Sequence, residues 1–342
     1  MSREGSASAG QERQRQRRVV EYLKRRESYP GDGPLEVVET HLSWVFLTDR
    51  HVYKLKKALR YPYLDYSTLA ARLRNCREEA RLDRRLAPDV CLGVIAVTEN
   101  ERGRLVLEGD GQPVEHLVKM RRLPSSQCLD NLLRTGGVSA ADVEGVARML
   151  SAYYAGNRRA RLTGPQYVNA SQRAVQQHAR ALADRRYGLD VELVQKLCQA
   201  LSEMIREYRD AFAERAEAGR IIPAHGDLRP EHVYLTPAPV ALDGLEFSRR
   251  LRTMDAADEL AFLAMECDRR DAGWVGRRLL ETYAAETGDN PPEPLVRFYK
   301  ASRALLWAKL AVWHLLREPE RDREKWLNRA THYLELARGY VM

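Results

Sequence analysis

Asp227 and Asp243 are the residues of this sequence best placed to do chemistry. Asp227 stands in Ala224-His225-Gly226-Asp227-Leu228-Arg229-Pro230-Glu231-His232-Val233-Tyr234-Leu235, and Asp243 follows sixteen positions later in Val240-Ala241-Leu242-Asp243-Gly244. Each carboxylate sits in a small loop flanked by apolar residues. Two such loops suit phosphoryl transfer, in which one Asp takes or orients the proton of an attacking hydroxyl and the second holds magnesium on nucleotide phosphates. Mg²⁺ is hard and oxygen-seeking, so a carboxylate at the mouth of a short strand suits it.

The protein-kinase catalytic loop reads H-R-D-x-x-x-x-N, and the metal loop reads D-F-G. Here His225-Gly226-Asp227 is followed, after four residues, by His232 where Asn is expected, and Asp243-Gly244-Leu245-Glu246-Phe247 stands where the metal loop would be. Further matches are Glu39-Thr40-His41-Leu42-Ser43-Trp44-Val45-Phe46-Leu47, Tyr53-Lys54-Leu55-Lys56-Lys57 and Asp258-Glu259-Leu260-Ala261-Phe262-Leu263. Together they resemble the aminoglycoside phosphotransferase family of the kinase-like fold, and more closely its bacterial subgroup of unassigned substrate. The resemblance covers roughly residues 34 to 340. It implies an α+β, protein kinase-like bilobal fold, with a five-stranded antiparallel sheet and a helix in the N-terminal lobe and a mostly helical C-terminal lobe. It also implies that Thr40-His41-Leu42-Ser43 replaces a Gly-rich loop, with Thr40 and Ser43 near the nucleotide. Glu259-Leu260-Ala261 stands where the family has Asp-Leu-Ala, and Asp255, Asp258 and Glu259 are read as structural or substrate-facing.

A phosphate-pairing lysine is expected on the strand over His51 to Lys57. Residues two apart share a strand face, so Lys54 and Lys56 point one way and Lys57 the other. Tyr53-Lys54-Leu55-Lys56 matches the apolar-x-apolar-Lys spacing of V-A-I-K, which selects Lys56 and leaves Lys54 as the alternative. Ser67-Thr68 caps a helix expected over Leu69 to Leu86. In the kinase pattern a helical Glu fixes the strand lysine; Glu79 is the choice and Glu78 the alternative. Arg229 lies inside the catalytic loop, where it would stabilise the transferring group or pair with an acid. His232 departs from the pattern: imidazole suits softer metals than magnesium. It is carried as a metal-site residue beside Asp243, with the alternative that it hydrogen-bonds and holds Asp227.

The elements that would position these residues can be read in order. Residues 1 to 33 form a leader and a short amphipathic helix over Gln11 to Arg26, broken by Tyr29-Pro30-Gly31-Asp32-Gly33-Pro34. Residues 34–123 form the sheet lobe, with strands over Leu35 to Leu47, His51 to Lys57, Cys91 to Thr98, Arg104 to Leu107 and Val114 to Met120. Met120-Arg121-Arg122-Leu123-Pro124 leaves the sheet as the hinge whose backbone would meet adenine. Residues 124–342 are helical and carry the catalytic and metal loops. Helices are expected over Ala140 to Asn157, capped by Ser139, near Tyr167 to Arg185, over Val191 to Ala218, from about Asp255, and over Trp274 to Glu286, Pro294 to Leu316 and Arg321 to Tyr340.

Composition narrows the alternatives. Hydrophobic residues make up 44% and charged residues 30%, ordinary for a globular protein in water. No apolar run approaches a membrane span, and Met1 to Arg18 lacks the apolar core of a secretory signal. The five cysteines are scattered and never form C-x-x-C, which fits reduced thiols in a cytoplasmic protein and argues against a disulfide frame and a zinc site. The net charge of +8 is largely arginine, without a zinc finger or RNP pattern, so nucleic acid is not the expected partner. No G-x-x-x-x-G-K-[ST] is present, against a P-loop ATPase, and no A-P-E-bounded activation loop, against a protein kinase. The expectation is an ATP- and Mg²⁺-dependent phosphotransferase acting on a hydroxyl of a small molecule such as a sugar or aminoglycoside. The alternative is a catalytically silent nucleotide-binding module.

Overall fold

A computed structural model describes residues 3–315 and 322–342. Among the described residues the order of elements is α1 (Arg3–Leu23), β1 (Glu36–Glu39), β2 (Ser43–Leu47), β3 (His51–Lys56), β4 (Arg60–Tyr61), β5 (Leu64–Asp65), α2 (Leu69–Leu86), β6 (Cys91–Glu99), β7 (Leu105–Leu107) and β8 (Gln112–Arg121). There follow α3 (Leu129–Thr135), α4 (Ala140–Ala155), α5 (Gly164–Leu182), α6 (Val191–Glu207), α7 (Arg209–Glu217), β9 (Ile221–Pro223), β10 (Val233–Tyr234), β11 (Val240–Ala241), β12 (Thr253–Asp255), α8 (Ala256–Asp268), α9 (Gly273–Thr287), α10 (Glu293–Leu315) and α11 (Arg323–Val341). Met1 and Ser2 of the expected leader, and the helix ends expected at Leu316 and Arg321, lie outside the described residues.

Two compact units result. The first holds the chain up to Gln127 together with Val240–Leu251; the second holds Cys128–Pro239 and Arg252–Met342. The loop at Asp243, expected as a metal loop within the helical part, is therefore compact with the sheet. Its flanking Val240 and Leu242 pack against a cluster of Cys76, Ala80, Val118 and Met120, which fixes its membership.

In the first unit the sheet is antiparallel, with strand order β1-β2-β3-β8-β6-β7. It has six strands, not the five expected, because the run Leu35 to Leu47 divides. Thr40 turns the chain: its Oγ1 accepts the Ser43 amide at 3.0 Å, and its own amide donates to the Ser43 carbonyl at 2.8 Å. One face of the sheet packs on α1 through Val19, Val20 and Leu23, against Phe46, Tyr53, Leu55 and Leu117. Helix α1 begins at Arg3, earlier than the expected Gln11, and ends at Leu23. No proline interrupts the small polar residues before Gln11, so the turn anchored at Val19 extends N-terminally. Helix α2 has the expected bounds, and the Thr68 hydroxyl accepts the Ala71 amide. Its burial stripe includes charged residues: Arg72, Glu79 and Asp83 are buried beside Cys76, Ala80, Leu82 and Leu86.

The second unit is built mainly of helices around one apolar cluster, in which Phe212, Ala261, Phe262, Phe298, Leu305 and Tyr333 are all buried. Ser139 and Asp142 form a capping box at α4, and Thr163 and Gln166 form another at α5. Gly164 and Pro165 open α5, a few residues before the expected start near Tyr167, as proline at a first turn should. The expected helix over Val191 to Ala218 is two helices, parted at Tyr208. Strands β9 and β12 pair antiparallel, Thr253 opposite Pro223. They set the stem from which the loop carrying His225, Gly226 and Asp227 leaves.

Candidate active site

In the first unit, β3 presents Lys54 and Lys56 on one face, as strand parity requires, and α2 lays Glu79 across both. Lys56 is enclosed. Its ammonium meets Glu79 Oε2 and Glu246 Oε1 and lies 5.0 Å from the Tyr66 ring centroid. Tyr66 donates its hydroxyl to the same Glu246 oxygen. The Lys56 side chain is 1% exposed. Lys54 is the more open, at 13%, and joins Glu79 Oε1 at 2.9 Å to Asp243 Oδ1. Burial works against the Lys54 charge, but Asp243 and Glu79 outweigh it and hold its pKa well above the ordinary lysine value. Burial likewise opposes ionisation of Glu79; the two lysines prevail and keep its pKa below that of an ordinary glutamate. Glu78, the alternative, instead pairs with Arg81 on the outer face of α2.

Asp243 has a φ of +66°, in the left-handed region that side chains other than Gly, Asn and Asp seldom visit. Its carboxylate is about half exposed, at 46%, so one oxygen pairs with Lys54 while the group stays open to solvent. The loop is held from α2: Asp83 Oδ1 accepts the amides of Asp243 at 3.1 Å and Gly244 at 3.4 Å. Asp83 is 2% exposed. Burial first, then the nearby Glu79 and Asp243 carboxylates, push its pKa well above the usual carboxylate range. Thr40 and Ser43 close the β1–β2 turn on each other, and Met120 is buried in the apolar cluster under α2.

In the second unit, the loop after β9 is pinned at its backbone. Glu259, in the first turn of α8, is buried and accepts the amides of His225 at 3.0 Å and Gly226 at 2.6 Å, and the Tyr154 hydroxyl at 2.9 Å. Burial raises the Glu259 pKa, against the pull of these donors. Gly226 has φ +90°, which only glycine takes without strain. Pro230 opens a single 3-10 turn that ends at His232. The Arg229 guanidinium donates to both oxygens of Asp227, Nε to Oδ1 at 3.1 Å and Nη2 to Oδ2 at 3.2 Å, and stacks 4.9 Å from the Trp307 ring centroid.

His232 can be assigned a tautomer from its partners. Its Nδ1 lies 2.7 Å from the Asp227 carbonyl oxygen, which can only accept, so Nδ1 carries the proton. Its Nε2 then accepts from Arg229 Nη2 at 3.1 Å. Both ring nitrogens are engaged inside the loop. Of the roles open to His232, this geometry matches the one that holds Asp227 and leaves no lone pair for a metal. Asp243 does suit magnesium, which takes one or two carboxylate oxygens and otherwise uses water and phosphate. Among the described residues no cluster of three or more His, Cys, Asp or Glu could form an all-protein metal cage.

Acids that could have made a polycation pocket are spent internally. Asp258 pairs with Arg303, Asp268 with Lys300 and Tyr340, and Glu266 with Arg270 and Tyr333. Asp255 caps α8 and pairs with Arg215. Sequence reasoning passed over Asp83, Glu246 and Tyr66 as site residues. The available signal for Asp83 was its position one helical turn after Glu79, on the same face. Glu246 carried a signal too, as a carboxylate three residues past Asp243.

No family model matches the chain. Uncharacterized proteins of Mycobacterium tuberculosis and Mycobacterium bovis are 29% identical over 282 residues, 81% of this chain and 54% of theirs. The chain thus spans about half the length of the curated relatives it matches. Among solved structures, a choline/ethanolamine kinase family protein from Mesorhizobium loti aligns with a TM-score of 0.53 at 16% identity, over 94% of this chain and 97% of that one. The GDP complex of an aminoglycoside 2'-phosphotransferase gives 0.53 at 13%, over 94% and 98%. A glucosamine kinase gives 0.53 at 14%, over 93% and 79%. Among the described residues no helix is long and apolar enough to cross a membrane. Identities this low speak for architecture alone, and on that basis the chain has the kinase-like fold of the aminoglycoside phosphotransferases, an antiparallel sheet in its N-terminal part and helices in its C-terminal part.

Proposed function

We propose that this chain is an ATP-dependent phosphotransferase that phosphorylates a hydroxyl of a small molecule, a sugar or similar alcohol. The observation that carries the reading is Lys54, an ammonium bound at once to the helical Glu79 and to Asp243 of the metal loop. A lysine so fixed is the group that neutralises charge on nucleotide phosphates. Support also comes from the structural neighbours, whose names are those of small-molecule kinases.

In this reading Asp227 orients and accepts the acceptor hydroxyl proton as its oxygen bonds to the γ-phosphorus and the bond to the β-phosphate oxygen breaks. Arg229 and His232 keep the Asp227 carboxylate and its carbonyl in place. Asp243 is the residue that would hold Mg²⁺, which when bound neutralises the phosphates; loss of the transferred group is chiefly a matter of position and charge. Lys54 takes the phosphate-facing role and Lys56 the internal one, the reverse of the order that V-A-I-K spacing favours. Thr40, Ser43 and Met120 are retained as nucleotide-facing backbone positions. An aminoglycoside is the less favoured acceptor, because the acids of α8 are already paired.

The test is transfer of labelled phosphate from ATP to a panel of sugars and amino alcohols, with and without Mg²⁺. One observation favours the second reading, a catalytically silent nucleotide-binding module: His232 occupies the Asn position with its ring nitrogens engaged. Nucleotide binding without transfer to any acceptor would support that module instead.

A further inference from the structure

The metal loop owes its shape to a residue outside it. Asp243 adopts φ +66°, a conformation that persists in a non-glycine residue when its surroundings over-determine it. The Asp243 and Gly244 amides both donate to one oxygen, Asp83 Oδ1, at 3.1 and 3.4 Å. Asp83 is almost fully buried on α2, and its second oxygen, Oδ2, has no hydrogen-bond partner. A buried carboxyl with a lone oxygen is a costly choice for filling space, since an apolar side chain would do that without the desolvation penalty. What an apolar side chain cannot do is accept two backbone amides. Glu79, one turn earlier on the same face, fixes the two lysines of β3. One helix face thus orients both the cation and the loop carboxylate.

We propose that Asp83 is the positioning residue of the metal loop, its Oδ1 holding Asp243 in the left-handed turn that presents the Asp243 carboxylate. The positioning rests on geometry alone; its consequence for Mg²⁺ rests on the function proposed above. Only the acceptor oxygen matters, so an asparagine can replace Asp83 and an alanine cannot.

The test compares full-length wild type, D83N and D83A by residue-resolved amide hydrogen exchange without ligand, and by Mg²⁺ titration of ADP binding. In wild type the Asp243 and Gly244 amides should be protected. D83A should speed their exchange by about tenfold, the worth of a buried hydrogen bond, while D83N stays within about threefold of wild type. D83A should raise the Mg²⁺ concentration needed for ADP binding, and D83N should restore it. The proposal is overturned if these amides exchange freely in wild type, if D83A leaves them protected, or if D83N exposes them as D83A does. Should D83A not fold, wild type and D83N still decide. If wild type shows no Mg²⁺-dependent ADP binding, the proposed function fails, and the exchange arm still judges Asp83 without any ligand.

Discussion

Lys54 and Glu79 meet at 2.9 Å, and the same glutamate receives Lys56 on its other oxygen. One carboxylate is thus divided between a lysine that reaches Asp243 and a lysine that solvent does not reach. The division predicts different penalties for losing the two. Lys56→Met leaves Glu79 and Glu246 facing each other without their shared cation, and should cost about 3–5 kcal/mol of stability. Lys54→Met should leave the melting temperature closer to wild type and lower phosphate transfer by about a hundredfold or more. Denaturation curves and turnover, measured together, check this. A stable, inactive Lys56 variant beside an active Lys54 variant would reverse the assignment.

The loop at Asp227 makes its own prediction. Arg229 is bidentate on Asp227, and lysine cannot reproduce that fork. Arg229→Lys should reduce kcat by about tenfold with a smaller effect on nucleotide affinity. His232→Asn keeps a donor for the Asp227 carbonyl and should retain more activity than His232→Ala. Equal loss in both His232 variants would show that the imidazole does something other than hold the loop.

Glu259 tests how the loop backbone is held. Its removal orphans the His225 and Gly226 amides and the Tyr154 hydroxyl at once. Glu259→Ala should destabilise by about 3 kcal/mol or more, and Tyr154→Phe by about 1 kcal/mol. Urea unfolding of the two variants gives the comparison. A Glu259→Ala protein as stable as wild type would mean that the loop holds itself.

His178 gives the acid limb of stability. It is buried on α5, its Nδ1 is unpartnered, and burial, with Lys309 and Arg303 nearby, pushes its pKa down from 6.5 to about 3. The unfolded chain binds this proton below pH 6.5 while the native chain does not. Stability is therefore full above pH 6.5 and is lost as pH falls toward 3, by up to about 5 kcal/mol from this group. His178→Leu should flatten that part of the stability–pH curve. An unchanged slope would place the acid sensitivity elsewhere.

Much of this arrangement is legible in the residues. Thr68 marks the start of α2 and Ser139 that of α4, because caps are local. The strand bearing Lys54 and Lys56 shows both on one face, because parity is local too. Which lysine is enclosed is not local: it depends on Glu246 and Tyr66, 190 and 10 residues from Lys56 in the chain. The β1–β2 division hangs on three hydrogen bonds between Thr40 and Ser43, within a run whose composition reads as one strand. Helix α2 shows Glu79 as a partner for the strand lysine but gives no sign that Asp83 is buried, because its partners arrive from the loop at 243–244. The grouping of Val240–Leu251 with the sheet likewise follows from packing on Cys76 and Ala80, which no spacing rule records.

The most direct measurement is transfer of labelled γ-phosphate from ATP to small hydroxylated acceptors by wild type and Asp227→Ala, with nucleotide binding followed in parallel. The account predicts Mg²⁺-dependent labelling of an acceptor by wild type, and a loss of about a hundredfold or more in the variant while nucleotide binding persists. Unimpaired transfer by Asp227→Ala, or a wild type that binds nucleotide and labels no acceptor, would contradict it.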